Sequence, residues 1–348
     1  MSKIKEKMTK NRLNLRNVVA IASCLVVTTM FSGCNKDKDP IDDENPLKSA
    51  VYVVGYEKNA ENRDVAKLWK NGVAQNLTDG TYAAQANSVF VSNNGDVYVV
   101  GYERQSSRVA KLWKNGVVQN LTDGTYNATA NSVFVSGSDV YVAGTESNAD
   151  GVSVAKLWKN GVAQNLSDSA TAYSVFVLNN DVYVAGNGHK GDKYVIKVWK
   201  NGNELYNIDD DYVGEGSSVF VSGNDVYVAG GDYGIKLWKN GVKQTLAEGG
   251  QDTRGKSVYV SGSDVYVSGF IRGNPYKAMV FKNGVTQNLN LTDENTLALS
   301  VYVQGGDVYV AGFCGENANS IATLWKNGVA QNLTDGSRSA RAHSVFVK

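Results

Sequence analysis

The chain has 348 residues, 42% of them hydrophobic and only three of them proline, enough to bury a core as one domain or as an array. Its formal charge is +1, and the first 16 residues hold six Lys/Arg against Glu6; without that basic start the remainder comes to about −4 and offers no basic face to a nucleic acid. Three cysteines (Cys24, Cys34, Cys314) and two histidines (His189, His343) supply neither a disulfide framework within the repeat region nor a His-rich metal site, and no cofactor is implied.

Basic residues up to Arg16 precede an apolar run from Val18 to Phe31 and then Ser32-Gly33-Cys34. This is the layout of a secretory signal, and the run is too short for a membrane span. A Cys directly after small residues resembles the lipobox of bacterial lipoproteins, which implies cleavage before Cys34 and its acylation. Phe31, at the third position before the Cys, departs from the usual Leu or Val. Asn35-Lys36-Asp37-Lys38-Asp39 resembles the acidic export signal of Bacteroidota surface lipoproteins. The expectation is therefore a signal peptide at 1–33, an acylated Cys34 and flexible tether at 34–49, and a folded domain at 50–348. The implied location is the outer membrane, anchored through the lipid at Cys34 and facing outward.

From Ala50 onward the sequence repeats. Near-copies of Lys111-Leu112-Trp113-Lys114-Asn115-Gly116 place Asn-Gly pairs at 71/72, 115/116, 160/161, 201/202, 240/241, 283/284 and 327/328. All six tryptophans stand two residues before that Asn, and the remaining copy has Phe281 there. An Asn-Gly pair between apolar runs signals a two-residue hairpin, because both central residues of a type I′ turn need positive φ. In the second copy, Ser88–Val91, Asp96–Gly101, Val109–Lys114 and Val117–Leu121 read as four short strands. Four strands in about 40–45 residues is the period of a propeller blade.

The ends give the blade count. Ser-Val-Phe/Tyr-Val occurs at 88, 132, 174, 218, 257, 300 and 344, yet Ala50-Val51-Tyr52-Val53 has no such strand before it. Residues 344–348 are an orphan first strand whose partners would be supplied by residues 50–78. The chain thus reads as all-β: a seven-bladed propeller of four-stranded blades and 28 strands, its ring closed by the C-terminal strand pairing with the N-terminal blade. An open array leaves that offset unexplained. The fourth copy is one residue longer after Asn201-Gly202, which suits a bulge or a three-residue turn, and the sixth lengthens its strand end through Asn288-Leu289-Asn290-Leu291.

The tryptophans read as packing between blades. The repeated Asp (96, 139, 181, 225, 264, 307) reads as capping the tight first turn. Asn-Leu-Thr at Asn76 and Asn120 reads as a strand end, and Asp168-Ser169-Ala170 resembles the short O-glycosylation motif of Bacteroidota secreted proteins.

Both sets of tight turns fall at one end of the strands and the longer, more variable connections at the other, where a site is expected. Loops read as starting at Tyr56-Glu57, Tyr102-Glu103 and Thr145-Glu146 meet connections carrying Tyr82, Tyr126, Tyr173 and Tyr212. Aromatic faces beside carboxylates suit sugars, so the candidate ligand-binding residues are Tyr56, Glu57, Tyr82, Tyr102, Glu103, Tyr126 and Glu146. No catalytic or metal-ligating residue is assigned: near-equivalent carboxylates are poor material for one acid and one base, and Ser344 and His343 alternate across a strand. The chain resembles Bacteroidota surface lipoproteins with Trp-Lys-Asn-Gly repeats, a resemblance that brings no activity with it. The expected partner is a glycan or a surface protein, and the expected state a monomer. A glycan-binding module is the first reading; a protein-binding or adhesive scaffold and a carbohydrate-active enzyme are the alternatives.

Overall fold

Each Asn-Gly pair turns a hairpin as its chemistry requires, with Asn φ between 50° and 52° and Gly φ between 80° and 83° at all seven copies. The computed structural model describes residues 49–209, 215–289, 294–316 and 319–348. Residues 1–48, with the signal, Cys34 and tether readings, lie outside the described residues, as does Tyr212. Each turn is tied to the first turn of its own unit. The Asn side-chain oxygen accepts the N–H of Val51, Val97, Val140, Val182, Val226, Val265 or Val308 at 2.8 Å. Its amide donates to the repeated Asp at 2.7–2.8 Å, and that Asp also pairs with the Lys just before the Asn at 2.7–3.0 Å. The Asp is therefore a clamp between two turns, where capping of its own turn was expected. Lys159, Lys200, Lys239, Lys282 and Lys326 do most to hold their partner Asp carboxyls below the usual range, and at Asp96 the Asn115 amide does most.

The described residues form 28 strands and no α-helix. β1 (Val51–Lys58), β2 (Asp64–Lys70) and β3 (Val73–Asn76) make the first sheet with β28 (Ala340–Val347), which pairs antiparallel with β1. Four-stranded antiparallel sheets follow over residues 83–120, 128–168 and 170–208, and another covers 296–332. Between them lies an eight-stranded sheet, two groups of four at 215–248 and 254–287 joined by the single parallel pair Gly234↔Arg254. These groups are called the first to seventh units in chain order.

Successive units pack face to face. Trp113 of the second unit sits with Val54, Ala66 and Leu68 of the first, and Trp69 of the first with Tyr309, Ala311 and Leu324 of the seventh. All six tryptophans are at most 1% exposed, and Phe281 is 2% exposed in the same role. Two contact series run from inner strand to inner strand. Ser88, Ser132, Ser174, Ser218, Ser257, Ser300 and Ser344 each accept the N–H of a Val in the adjoining unit at 3.1–3.4 Å. Phe90, Phe134, Phe176, Phe220, Tyr259, Tyr302 and Phe346 touch in sequence with centroids 4.4–5.0 Å apart, and Phe346 returns to Phe90. Neither series has an end, although no single sheet closes on itself.

Of three local expectations one holds, in the first of its two forms, and two are corrected. The fourth unit keeps its two-residue turn and absorbs the extra residue as a bulge between Val198 and Trp199. The outer strand of the sixth unit, Val285–Gln287, is short, and 290–293 lie outside the described residues. Cys314, buried at 1% exposure, is disulfide-bonded, where the sequence had left it alone.

Candidate functional site at the loop end

The inner strands have a bulge at one level, for example between Ala86 and Ser88. A glycine of the second strand crosses there so closely that a Cβ on Gly55, Gly101 or Gly312 would lie 1.9 Å from a carbonyl oxygen. This approach fixes which residues form the mouth. The residue after each Gly pairs across with an inner-strand residue: Arg254↔Phe270, Leu297↔Phe313, Arg341↔Tyr56, Gln85↔Tyr102, Thr129↔Thr145, Thr171↔Asn187 and Glu215↔Gly231. Around the mouth, then, the sixth, seventh, first and second units present an aromatic arc, and the third to fifth present small or polar residues.

The aromatic side opens into a cavity of about 430 Å³ lined by Arg254, Phe270, Tyr276, Leu297, Phe313 and Arg341, with Asp252 and Glu316 at its edge. Tyr276 is half-buried, its ring 6.0 Å from Phe270, and its N–H is held by Asn295 at 2.5 Å. Asn295 also donates to Glu316. Arg254 pairs with Asp252 at 3.1 Å and lies 3.8 Å from Asp232, while Arg272 reaches Asp252 at 3.4 Å. Arg341 lies over the Phe313 ring at 4.3 Å.

Behind this mouth His343 occupies the bulge of β28. Its Nδ1 is 3.1 Å from the Ala86 carbonyl, its ring meets Tyr56 edge-on, and desolvation lowers its pKa to about 4. Asn87 and Asn131 hold the same position in their units and donate to Ala130 and Ala172. His343 is thus a unit-to-unit tie, and Ser344 is occupied by Val89. Burial likewise pushes the phenols of Tyr56 and Tyr102 above their ordinary value, with Arg341 and Arg108 respectively pulling the other way.

The structure redistributes the residues expected from sequence. Tyr56 and Glu57 are in β1, Tyr102 and Glu103 in β5 (Val97–Arg104), and Glu146 in β9 (Asp139–Ser147); they are strand residues where loops were expected. Tyr173 is also in a strand, Ala170–Leu178. The three glutamates are committed to ion pairs with interior lysines, Glu57–Lys67 at 2.7 Å and Glu103–Lys111 and Glu146–Lys156 at 2.9 Å. The sixth and seventh units replace both partners together, by Ile271 with Met279 and Cys314 with Thr323. Tyr56 is 6% exposed, whereas Tyr82 and Tyr126 do lie in connections and are 46% and 39% exposed. Tyr126 and Glu146 come together in a groove of about 660 Å³. The cavity at Phe270 and Phe313 was missed because those copies lack the Tyr-Glu pattern. The signal was present as apolar residues after the repeated Gly.

Among the described residues no group of three or more His, Cys, Asp or Glu is placed to hold a metal, and no helix is long and apolar enough to cross a membrane. No family model matches the chain, and no curated protein matches it. Solved structures do resemble it. The computationally designed Ika8 protein aligns over 90% of this chain and 94% of its own at 18% identity and a TM-score of 0.48. The β-propeller domain of the Trilobed protease from Pyrococcus furiosus aligns over 72% and 84% at 13% identity and 0.44. A GH43_1 enzyme from Xanthomonas citri, complexed with xylose, aligns over 55% and 82% at 13% identity and 0.36. At these scores the likenesses carry no argument about this chain's activity.

Proposed function

We propose that the protein is a seven-bladed propeller, closed by β28, that binds glycans at its loop end. The two endless contact series and the β28–β1 pairing support closure. The observation that carries the binding reading is the cavity at the sixth and seventh units, where Phe270, Tyr276 and Phe313 line the same space as Asp252, Arg254, Glu316 and Arg341. Flat apolar faces bordered by hydrogen-bonding groups are what a sugar's C–H face and hydroxyls require. This reading places one principal site at the mouth, in place of three repeated Tyr-Glu sites. The Tyr126 groove remains as an accessory surface.

A glycan array probed with the full chain tests it. Tyr276→Ala, in the connection lining the cavity, abolishes binding if the mouth is the site, whereas Tyr126→Ala does so if the groove is. A chain that binds no glycan but captures a specific surface protein is the scaffold of the alternative reading. A second reading, glycoside cleavage, is favoured by Asp252 and Glu316 sharing one cavity; hydrolysis lost in both Asp252→Asn and Glu316→Gln would establish it. Anchoring at Cys34 follows from the leader: Cys34→Ala should abolish acyl labelling and membrane retention. A thioether and a disulfide cannot share one sulfur, so mass mapping of the acylated cysteine and of the Cys314 partner tests the same point.

A further inference from the structure

We infer that the mouth takes an acidic sugar, its carboxylate seated on Arg341 and its apolar face against Phe270, Phe313 and Leu297. This rests on the reading of the loop end as a glycan site and names the class of glycan. Of the two arginines that line the cavity, Arg254 is paired with an acid and Arg341 is not. Asp252 is engaged by Arg254 and Arg272, and Glu316 by the amide of Asn295. Arg341 makes no ion pair among the described residues: its Nε is buried without a hydrogen-bond partner, and its guanidinium rests on the ring of Phe313. A stacked guanidinium keeps its N–H edge directed outward in the plane of the fork, the geometry that meets a carboxylate in two parallel hydrogen bonds.

Arg341 and, less strongly, Lys256 oppose the protonation of His343, and Asp64 favours it. The acid facing the same region, Asp64, is turned to Lys58 at 3.4 Å and to the Gln85 amide at 2.7 Å. Leu297 separates Arg254 from Arg341 along successive inner strands, so the apolar wall lies between the two guanidiniums. A guanidinium with no acidic partner can take a carboxylate through two parallel hydrogen bonds.

The test is titration calorimetry on the full chain with tri-galacturonate, sialyllactose and a hyaluronan tetrasaccharide, each against a neutral control: the methyl ester, lactose and cellotetraose. At least one acidic probe should bind about tenfold tighter than its control, the scale of a charge-assisted hydrogen bond. Arg341→Gln should bring that probe down to its control, and Arg341→Lys should restore part of the difference. Melting temperature is followed in each variant, and Tyr276→Ala, which removes an uncharged ring from the same cavity, should weaken acidic and neutral binding alike. Equal binding of acidic and neutral chains, or a preference that survives Arg341→Gln in a folded variant, overturns the acidic assignment and leaves the glycan reading standing. Inorganic phosphate bound through Arg341 with no sugar bound overturns both, as does the absence of any binding.

Discussion

The two ends of the strands obey different rules. At the turn end the same Asp, Asn, Gly and Lys recur and make the same clamp at the same distances; only the first unit lacks the Asp, yet it keeps the Asn71–Val51 bond. At the loop end the same backbone crossing carries Tyr, Thr, Asn, Gly or Phe. A two-residue turn has one solution for its backbone, so every copy must meet it. The mouth has only to be covered, and each copy is free to vary there. Repetition therefore marks the scaffold, and broken repetition marks the site.

Removing Ser344–Lys348 should break the scaffold most. Those five residues carry four of the seven β28–β1 pairs, the buried Val345 and Val347, Phe346 and the Ser344 tie. The loss is on the order of 5 kcal/mol or more, comparable with a whole domain's stability. Circular dichroism should show an unfolded or expanded chain. Full cooperative melting at the wild-type temperature would mean the fold does not depend on its last strand and would count against the proposed closure.

Trp113→Ala should cost about 3–5 kcal/mol in denaturant unfolding. Trp113→Phe should cost much less, because the sixth unit is built with Phe281 at that position. A small effect of the Ala variant would show that the buried indoles are not what joins unit to unit.

His343 gives a pH test. Its folded pKa of about 4 lies below the ordinary 6.5, so the unfolded chain takes up the proton first. The stability from the neutral ring is complete above pH 6.5 and is lost as pH falls from there towards 4, by up to about 3 kcal/mol. His343→Asn, which reproduces Asn87 and Asn131, should keep the tie to Ala86 and flatten the stability profile across that window. An unchanged slope would assign the acid sensitivity elsewhere.

The smallest effect belongs to the connections. Tyr82→Ala and Tyr126→Ala should shift stability by no more than about 0.5 kcal/mol, since both rings are largely in solvent. A larger loss would place them in the scaffold.

The scaffold was readable because its determinants are local. Positive φ at Asn-Gly, alternation of Val and Tyr, and a strand missing at one end and surplus at the other all lie along the chain. The role of the repeated Asp was misread because its partners, the Asn and Lys of the later turn, stand 14 to 21 residues away. The glutamates looked like ligand groups for the same reason: the lysines that neutralise them arrive on the adjacent strand. The mouth depends on which residues share a level around seven separate strands, information that no short window holds. What the sequence did carry was Phe270 and Phe313 after the repeated Gly in the sixth and seventh units, the two copies in which Glu and Lys are exchanged together.

The run of seven aromatic rings ties all seven inner strands through one kind of contact, and every ring in it touches two others. Shortening one of them, as in Phe176→Ala, therefore loosens two neighbours at once. A second truncation next to the first should cost less than one placed elsewhere in the series, because the contact the two rings shared is already gone. Damage along such a line is counted in joints, and two adjacent gaps share one joint.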